Sequence, residues 1–421
     1  MEQYKLHRNI ICIDLKSFYA SVECVLRGLN PFTTPLVVAD KSRGGGSIVL
    51  AISPYLKHRG VQTRCRVYDL PKDGDIIYAK PRMKTYLEYS TRIVEIYLKY
   101  VSYEDMHIYS VDEVFLDLTT YLKYYNKTDY EMAEIILKDI MDTTGIPATC
   151  GIGPNMLLSK IALDVESKSA PNFIAKWTYQ DVEDKLWNIS PIDEMWGIGR
   201  RMKVNLNRLG LYTIGDIARY PLERLQRYFG VMGEELYHHA HGIDLSIISE
   251  KIAYKPSTSS IGNGQTLFHD YDGASVKQIM LEMVDQVVKR LRAHNKKAYT
   301  IHFGIGYSKA YGGGFNHQQT LTFPTWNESE IYQVCDDIFE TYYEDLPIRR
   351  VSVRASNLVE EFFIQLNLFK DVNKMITEHK LHSAIDNIQF LHGKNAIIRT
   401  SSLQEQSTVQ ARNGMVGGHN E

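Results

Sequence analysis

Long hydrophobic runs are missing from this 421-residue chain. No stretch approaches the ~20 uncharged apolar residues that a membrane helix needs, which argues against a spanning protein. The opening residues, MEQYKLHRN, lead into only six largely apolar positions, so no secretory signal is expected there. Cysteine is scarce: Cys12, Cys24, Cys65, Cys150 and Cys335 are scattered, odd in number and form no CxxC pair. That excludes the usual zinc and disulfide frameworks and points to a reduced, cytosolic protein. Charge of one sign is lacking too, with 48 basic against 50 acidic residues, a net charge of −2 and a pI near 6.7. The overall basicity common among nucleic-acid enzymes is therefore absent. There is no internal repeat and no low-complexity segment.

What is present is an ordinary globular balance, 44% hydrophobic and 23% charged. The length suggests roughly three domains. Charge is segregated locally. Between Trp196 and Gly230 stand seven basic residues (Arg200, Arg201, Lys203, Arg208, Arg219, Arg224, Arg227) against two acidic ones (Asp216, Glu223). One basic face is all that phosphate contact requires.

Ile10–Ile13 is a continuous apolar run, as in a strand buried on both faces, and Asp14 ends it. A helix is expected over 17–26, mixed structure over 31–80 and a tyrosine-rich helix over about 84–101. Strands follow at 106–110 and 114–118, a helix at 131–142, a strand at 148–152 and a helix at 155–167. A basic helical region spans 178–245. Strands at 259–268, 299–307 and 316–323, with helices at 274–294 and 327–345, suggest a second domain. Strand and helix alternate without the regular rhythm of a doubly wound sheet, so the fold class is α+β.

Asp112 and Glu113 are adjacent acids inside strand-like sequence, SVDEVFLD. In a regular strand they would face opposite ways. A hairpin turn at this point lets one site use both, and Asp14 can supply a third carboxylate. Clustered acids repel one another unless cations join them. Magnesium prefers such oxygen ligands, and two ions can activate a hydroxyl and stabilise a leaving oxygen in phosphoryl displacement. Each acid also has a plainer reading: Asp14 as a helix N-cap, Asp112-Glu113 as turn residues on a solvated face.

The segments Cys12–Glu23 (CIDLKSFYASVE), Tyr109–Asp117 (YSVDEVFLD) and Gly151–Gly153 through Lys160–Ala162 together resemble the motifs of Y-family, lesion-bypass DNA polymerases. The likeness follows family order over nearly the whole chain and is nearest the UmuC-type branch. It implies a right hand: palm at 1–18 and 84–177, fingers at 19–83 and a helical thumb at 178–245. A linker at 246–258 would lead to an α+β little finger at 259–360 and a C-terminal tail at 361–421. It also implies that Asp14, Asp112 and Glu113 are catalytic and, with the main chain of Leu15, hold two Mg2+ ions. Tyr19 falls at the steric gate, where its ring would exclude a ribose 2′-hydroxyl. Phe18, Tyr55, Lys57 and Lys168 fall at nucleotide-binding positions. Counting back from Gly60 puts Lys57 at the family's basic position but Pro54 at its aromatic one, with Arg59 in reserve.

Trp196-Gly197-Ile198-Gly199-Arg200-Arg201 reads as the turn of a helix–hairpin–helix. Gly197 and Gly199 permit a tight turn whose N–H groups meet a DNA phosphate, and Arg200 and Arg201 add charge. Gln365-Leu366-Asn367-Leu368-Phe369 resembles the pentapeptide with which bacterial polymerases bind the sliding clamp: Leu366, Leu368 and Phe369 would fill an apolar groove and Gln365 its polar edge. The implied partners are primer–template DNA, deoxynucleoside triphosphates, the clamp and an accessory subunit. The implied setting is bacterial, cytoplasmic and nucleoid-associated, in SOS-type damage tolerance. Two-metal nucleases or cyclases, and clamp-docked DNA-binding proteins, are competing classes. The first leaves Tyr19 and the hairpin unexplained; the second has no need of three converging acids.

Overall fold

The computed structural model describes residues 2–72, 74–252, 259–360, 372–416 and 419–420. They fall into two compact units, the first made of the described residues up to 252 together with 419–420, the second of those from 259 to 416. No helix among the described residues is long and apolar enough to cross a membrane.

The first unit is built on a five-stranded sheet in the order β5-β6-β1-β7-β8. Its strands are β1 (Ile10–Leu15), β5 (Met106–Ile108), β6 (Glu113–Asp117), β7 (Ala148–Gly153) and β8 (Ile174–Lys176). Central β1 runs antiparallel to both β6 and β7. Its apolar run is continuous because both faces are covered. Ile11, Ile13 and Leu15 join a core with Tyr97, Ile136 and Ile140, which come from α3 (Met83–Tyr97) and α5 (Asp129–Thr144). Ile10 and Cys12 point the other way, onto Phe115, Met156 and Leu163. The start of α5 is set by a Thr128/Glu131 capping box, and Gly145 ends it at φ 70°.

The second face is reached by α6 (Met156–Ala162), which packs unusually close to β7. A Cβ on Gly151 would lie 2.0 Å from the Ser159 carbonyl oxygen, and one on Gly153 would lie 2.4 Å from the Ser159 nitrogen. The two glycines are thus required by backbone-to-backbone contact, and that contact sets where Lys160 stands. The helix expected over 155–167 changes character at Leu163 and continues to Ser167 as a widened π turn.

Around this sheet, α1 (Phe18–Val25) follows β1, and α4 (Leu122–Tyr125) precedes α5. A small sheet, β3-β2-β4, comes from β2 (Leu36–Val38), β3 (Ala51–Ile52) and β4 (Ile77–Ala79), and α2 (Pro54–His58) follows β3. Five helices, α7 (Asp181–Asp184), α8 (Arg200–Arg208), α9 (Ile214–Arg219), α10 (Leu222–Phe229) and α11 (Val231–Ala240), enclose a separate apolar core around Leu206, Ile217 and Leu236.

The second unit is a four-stranded sheet, β11-β10-β12-β9, with two helices on one face. Its elements are β9 (Ser260–Tyr271), α12 (Gly273–Ala293), β10 (Lys296–Tyr307), β11 (Gly314–Thr325), α13 (Glu328–Tyr342) and β12 (Ile348–Glu360). The strand β12 was not expected from the sequence. Arginines at 349, 350 and 354 obscure its alternation, yet Ile348, Val351, Val353 and Ala355 are all buried. A 21-residue helix, α14 (Val372–His392), follows. Farther on, Arg412 and Thr408 both bond the buried Glu282 of α12.

Gly151→Ala should destabilise the first unit by roughly 1–3 kcal/mol or more, as overpacking against rigid backbone does. Gly46→Ala, which has open space around it, should stay within about 0.5 kcal/mol of wild type. Urea unfolding of the two variants checks the contrast.

Candidate active site

The register of the central strands brings the acids together. Asp14 lies opposite Glu113 on β6 and opposite Thr149 on β7, so the three side chains share one row on the face covered by α6. Asp112 precedes β6 in a tight hairpin. The Tyr109 and Ser110 N–H groups both donate to the Glu113 carbonyl, at 3.0 and 3.1 Å. The Leu15 N–H donates to the Asp112 carbonyl at 2.9 Å, which ties the end of β1 to the turn. The adjacent acids therefore escape strict strand alternation.

Cations surround them. Lys160 lies 2.7 Å from Glu113 and 2.9 Å from Asp164, and Lys168 lies 3.1 Å from Asp164. Burial works against the charge on Lys160, but its bonds to Glu113 and Asp164 outweigh that and raise its pKa. Lys57 is held below the ordinary lysine range by burial and by the charge of Lys168, against the pull of Asp14 and Asp112. Lys16 is lowered by burial and by Lys57, and its ammonium sits 4.2 Å from the centre of the Phe173 ring. Asp14 itself is pushed up to about 7, first by burial and then by Asp112 and Glu113, while Lys168 and Lys160 oppose the shift.

The sequence candidates are distributed as follows. Asp112, Glu113, Lys57 and Lys168 all lie within electrostatic reach of Asp14. Lys57 gets there because Ser53 caps α2 and Pro54 takes its first turn, where a missing N–H costs nothing. Tyr55 faces elsewhere. With Phe32, Pro54, His58 and Arg59 it lines a surface pocket of about 350 Å3, and its hydroxyl accepts a hydrogen bond from Arg59 at 3.0 Å. Tyr19 lies half-buried beside the acids, its hydroxyl pKa raised by burial and by Asp112. Its ring stacks on Tyr86 at 4.6 Å with 16° between planes, and Phe18 is buried next to it.

Three contributors were not singled out from the sequence: Lys16, Lys160 and the Glu23 network. Glu23 is fully buried in α1, where it accepts bonds from Arg82 at 2.7 Å and from the Tyr86 hydroxyl at 2.8 Å, and also pairs with Arg27. A glutamate midway along an apolar helix was the available signal, since such a charge needs partners when buried.

As it stands, no group of three or more His, Cys, Asp or Glu among the described residues is closed around a metal position. Glu113 is turned toward Lys160 and accepts from the Cys12 thiol at 3.3 Å, while Asp112 accepts from Ser110 Oγ at 2.7 Å. The donor chemistry nonetheless suits a hard cation: oxygen ligands only, crowded enough to disfavour the charge of Asp14.

Beyond the sheet, Gly197 adopts φ 93° and Gly199 caps α8. A Cβ at either glycine would meet nothing within 4 Å, so the turn is open on its outer side, and Arg200 and Arg201 are exposed. The clamp-like segment Gln365–Phe369 lies outside the described residues.

Acids ringed by lysines on one sheet, with a glycine turn open beside exposed arginines, define an enzyme of nucleotide chemistry. Comparison with known proteins gives the class its name. Residues 13–164 match the impB/mucB/samB family and residues 258–368 its C-terminal domain, while residues 193–244 match the DNA polymerase-iota thumb domain. The putative UV-damage repair protein UvrX of Bacillus subtilis (strain 168) is 43% identical over 416 residues, 98% of this chain and 97% of that protein. DNA polymerase IV 2 of the same organism is 34% identical, covering 97% of this chain and 98% of its own length. A solved Y-family DNA polymerase chimera shares the fold, with a TM-score of 0.66 at 22% identity over 84% of this chain and 99% of that one. This chain belongs to the Y-family of DNA polymerases, of the UmuC type. It is a DNA-directed DNA polymerase of the translesion kind, with the right-hand α+β fold of that family.

The raised pKa of Asp14 has a definite sign. Between the usual aspartate value of 3.8 and about 7, the folded protein keeps a proton that the unfolded chain has released. Metal-free stability should therefore fall as pH rises through that window. A divalent metal held by Asp14 would require the charged form, so such binding should tighten from pH 6 to pH 8 and release a proton near pH 7. Calorimetry in buffers of different ionisation enthalpy measures that release, which Asp14→Asn should abolish.

Proposed function

We propose that deoxynucleotide transfer takes place at the row formed by Asp14 and Glu113 together with Asp112 of the adjoining turn, with two magnesium ions. The observation that carries this reading is the strand register that sets Asp14 opposite Glu113, with Asp112 in the adjoining turn and Lys160 2.7 Å from Glu113. Asp14, Asp112, Glu113 and the carbonyl of Leu15 would hold the ions. When bound, such ions supply Lewis acidity to the attacking hydroxyl and the leaving phosphate oxygen of an in-line displacement.

The chain's own groups do the rest. Lys57 and Lys168, with Lys16 behind them, attract the triphosphate and offset its negative charge. Phe18 and Tyr19 wall the sugar side, and Tyr19 leaves no room for a 2′-hydroxyl. Its stack on the buried Tyr86 holds the ring in place. Tyr55 and Arg59, which line a surface pocket of their own with Phe32, Pro54 and His58, would meet the triphosphate from the finger side.

In this reading the palm comprises residues 1–18 and 84–177, the fingers 19–83, the thumb 178–245, the linker 246–258, the little finger 259–360 and the tail 361–421. The thumb grips duplex phosphates with the N–H groups of the Gly197–Gly199 turn and with Arg200 and Arg201. The helix-free face of the second sheet, with Arg350, Arg354, Asn316 and Gln318 over glycines 262, 264 and 304, follows the backbone without reading sequence. Gln365–Phe369 binds a sliding clamp, an accessory subunit acts with the complex, and the enzyme works on the cytoplasmic nucleoid in the SOS response.

Primer extension tests the core of this. Purified protein with primed template, deoxynucleotides and Mg2+ should extend the primer, and Asp112→Ala/Glu113→Ala should abolish extension; equal activity of the two would refute the site. Tyr19→Ala should admit ribonucleotides, and unchanged sugar selectivity would show the gate misplaced. Removing residues 365–369 should cancel stimulation by the clamp and spare basal extension.

A further inference from the structure

We propose that Trp196 is a positioning residue: it clasps the phosphate-gripping turn of the thumb to the catalytic strand and so fixes the duplex in register with the carboxylates. This rests on the polymerase reading above and adds a role for a side chain that reading does not use.

Trp196 immediately precedes Gly197, the first residue of the open turn. The turn is anchored in the helical core by Met195 and Ile198, which are 2% and 4% exposed. Trp196 packs against that core and also against the cluster on the sheet that contains Phe115. Its indole N–H donates to the Tyr109 hydroxyl at 3.2 Å. Its ring meets Phe115 at 6.0 Å and 37°, and Tyr109 at 6.0 Å and 73°. Tyr109 closes the triangle edge-on to Phe115, at 5.9 Å and 89°.

The two residues that Trp196 touches bracket the acids. Phe115 is fully buried on β6, two positions beyond Glu113 and therefore on the same face. Tyr109 opens the hairpin turn that carries Asp112, and its N–H donates to the Glu113 carbonyl at 3.0 Å. One rigid aromatic side chain thus links the DNA-facing main chain to both arms of the catalytic hairpin. Aromatic contacts of this kind are individually weak, so the clasp is a weak source of stability. Its value is geometric: in-line attack needs the primer end placed to a fraction of an ångström, and an error of about 1 Å can cost on the order of a hundredfold in rate.

Single-turnover extension with the full chain, scaled to active complexes by burst titration, tests the assignment. At saturating primer–template, Trp196→Ala should slow nucleotide addition about ten- to a hundredfold per active complex, with nucleotide KM and duplex affinity within about threefold of wild type. Trp196→Phe, which keeps a ring and loses the N–H, should recover most of that rate. Tyr109→Phe should lose only a few-fold. A purely structural role would instead lower the active fraction and the melting temperature and leave the rate per active complex unchanged, and that result would overturn the proposal. So would a Trp196→Phe no faster than Trp196→Ala. Absence of extension by the wild type would refute the polymerase reading itself, a separate failure.

Discussion

Two carboxylates face each other across an antiparallel pair, Asp14 on β1 and Glu113 on β6, with a third at Asp112 one residue away. Like charges directly opposite in a sheet are destabilising, and burying them costs more. Much of the first unit can be understood as the structure that makes this arrangement tolerable. Lys160 reaches Glu113 only because α6 lies flush on β7, and α6 lies flush only because residues 151 and 153 have no side chain. Lys168 reaches the same chain of charges through the widened turn at 163–167, which carries Asp164 between the two lysines.

This frustration is the functional asset. Burial and the two neighbouring acids push Asp14 up to about 7, so its charged form gains from an added cation. In the proposed reading a divalent cation would relieve the repulsion that burial creates, and Lys57 and Lys168 would serve as counter-ions for a triphosphate. The Glu23–Arg82–Tyr86 network supports the same site from below. A fully buried glutamate, satisfied by Arg27, Arg82 and a tyrosine hydroxyl, fixes the ring on which Tyr19 stacks. The proposed nucleotidyl transfer and sugar selection would thereby rest on separate buried polar networks.

The parts legible from sequence were those with strong local signatures. The Ile10–Ile13 run, the acid pair in a turn and the capped helix at 129–144 carry their own pattern. The strand Ile348–Glu360 does not, because exposed arginines interrupt its alternation and its pairing with β10 and β9 is long-range. The roles of Lys16, Lys160 and Trp196 were equally hidden, since each depends on which neighbour the tertiary fold supplies. Tyr55 illustrates the limit of counting along a motif. With proline at the start of α2, Lys57 comes within electrostatic reach of Asp14, while Tyr55 lines a surface pocket with Arg59, a placement no count along the chain could supply.

Metal is expected at Asp14, Asp112 and Glu113, with Glu113 giving up its pairing to Lys160. The most direct measurement is anomalous scattering from crystals of the chain with primed DNA, a non-hydrolysable deoxynucleotide and Mn2+. The account predicts two manganese positions bounded by these three carboxylates, with Glu113 turned away from Lys160. Manganese bound elsewhere, or Glu113 still paired to Lys160 with the nucleotide in place, would contradict it.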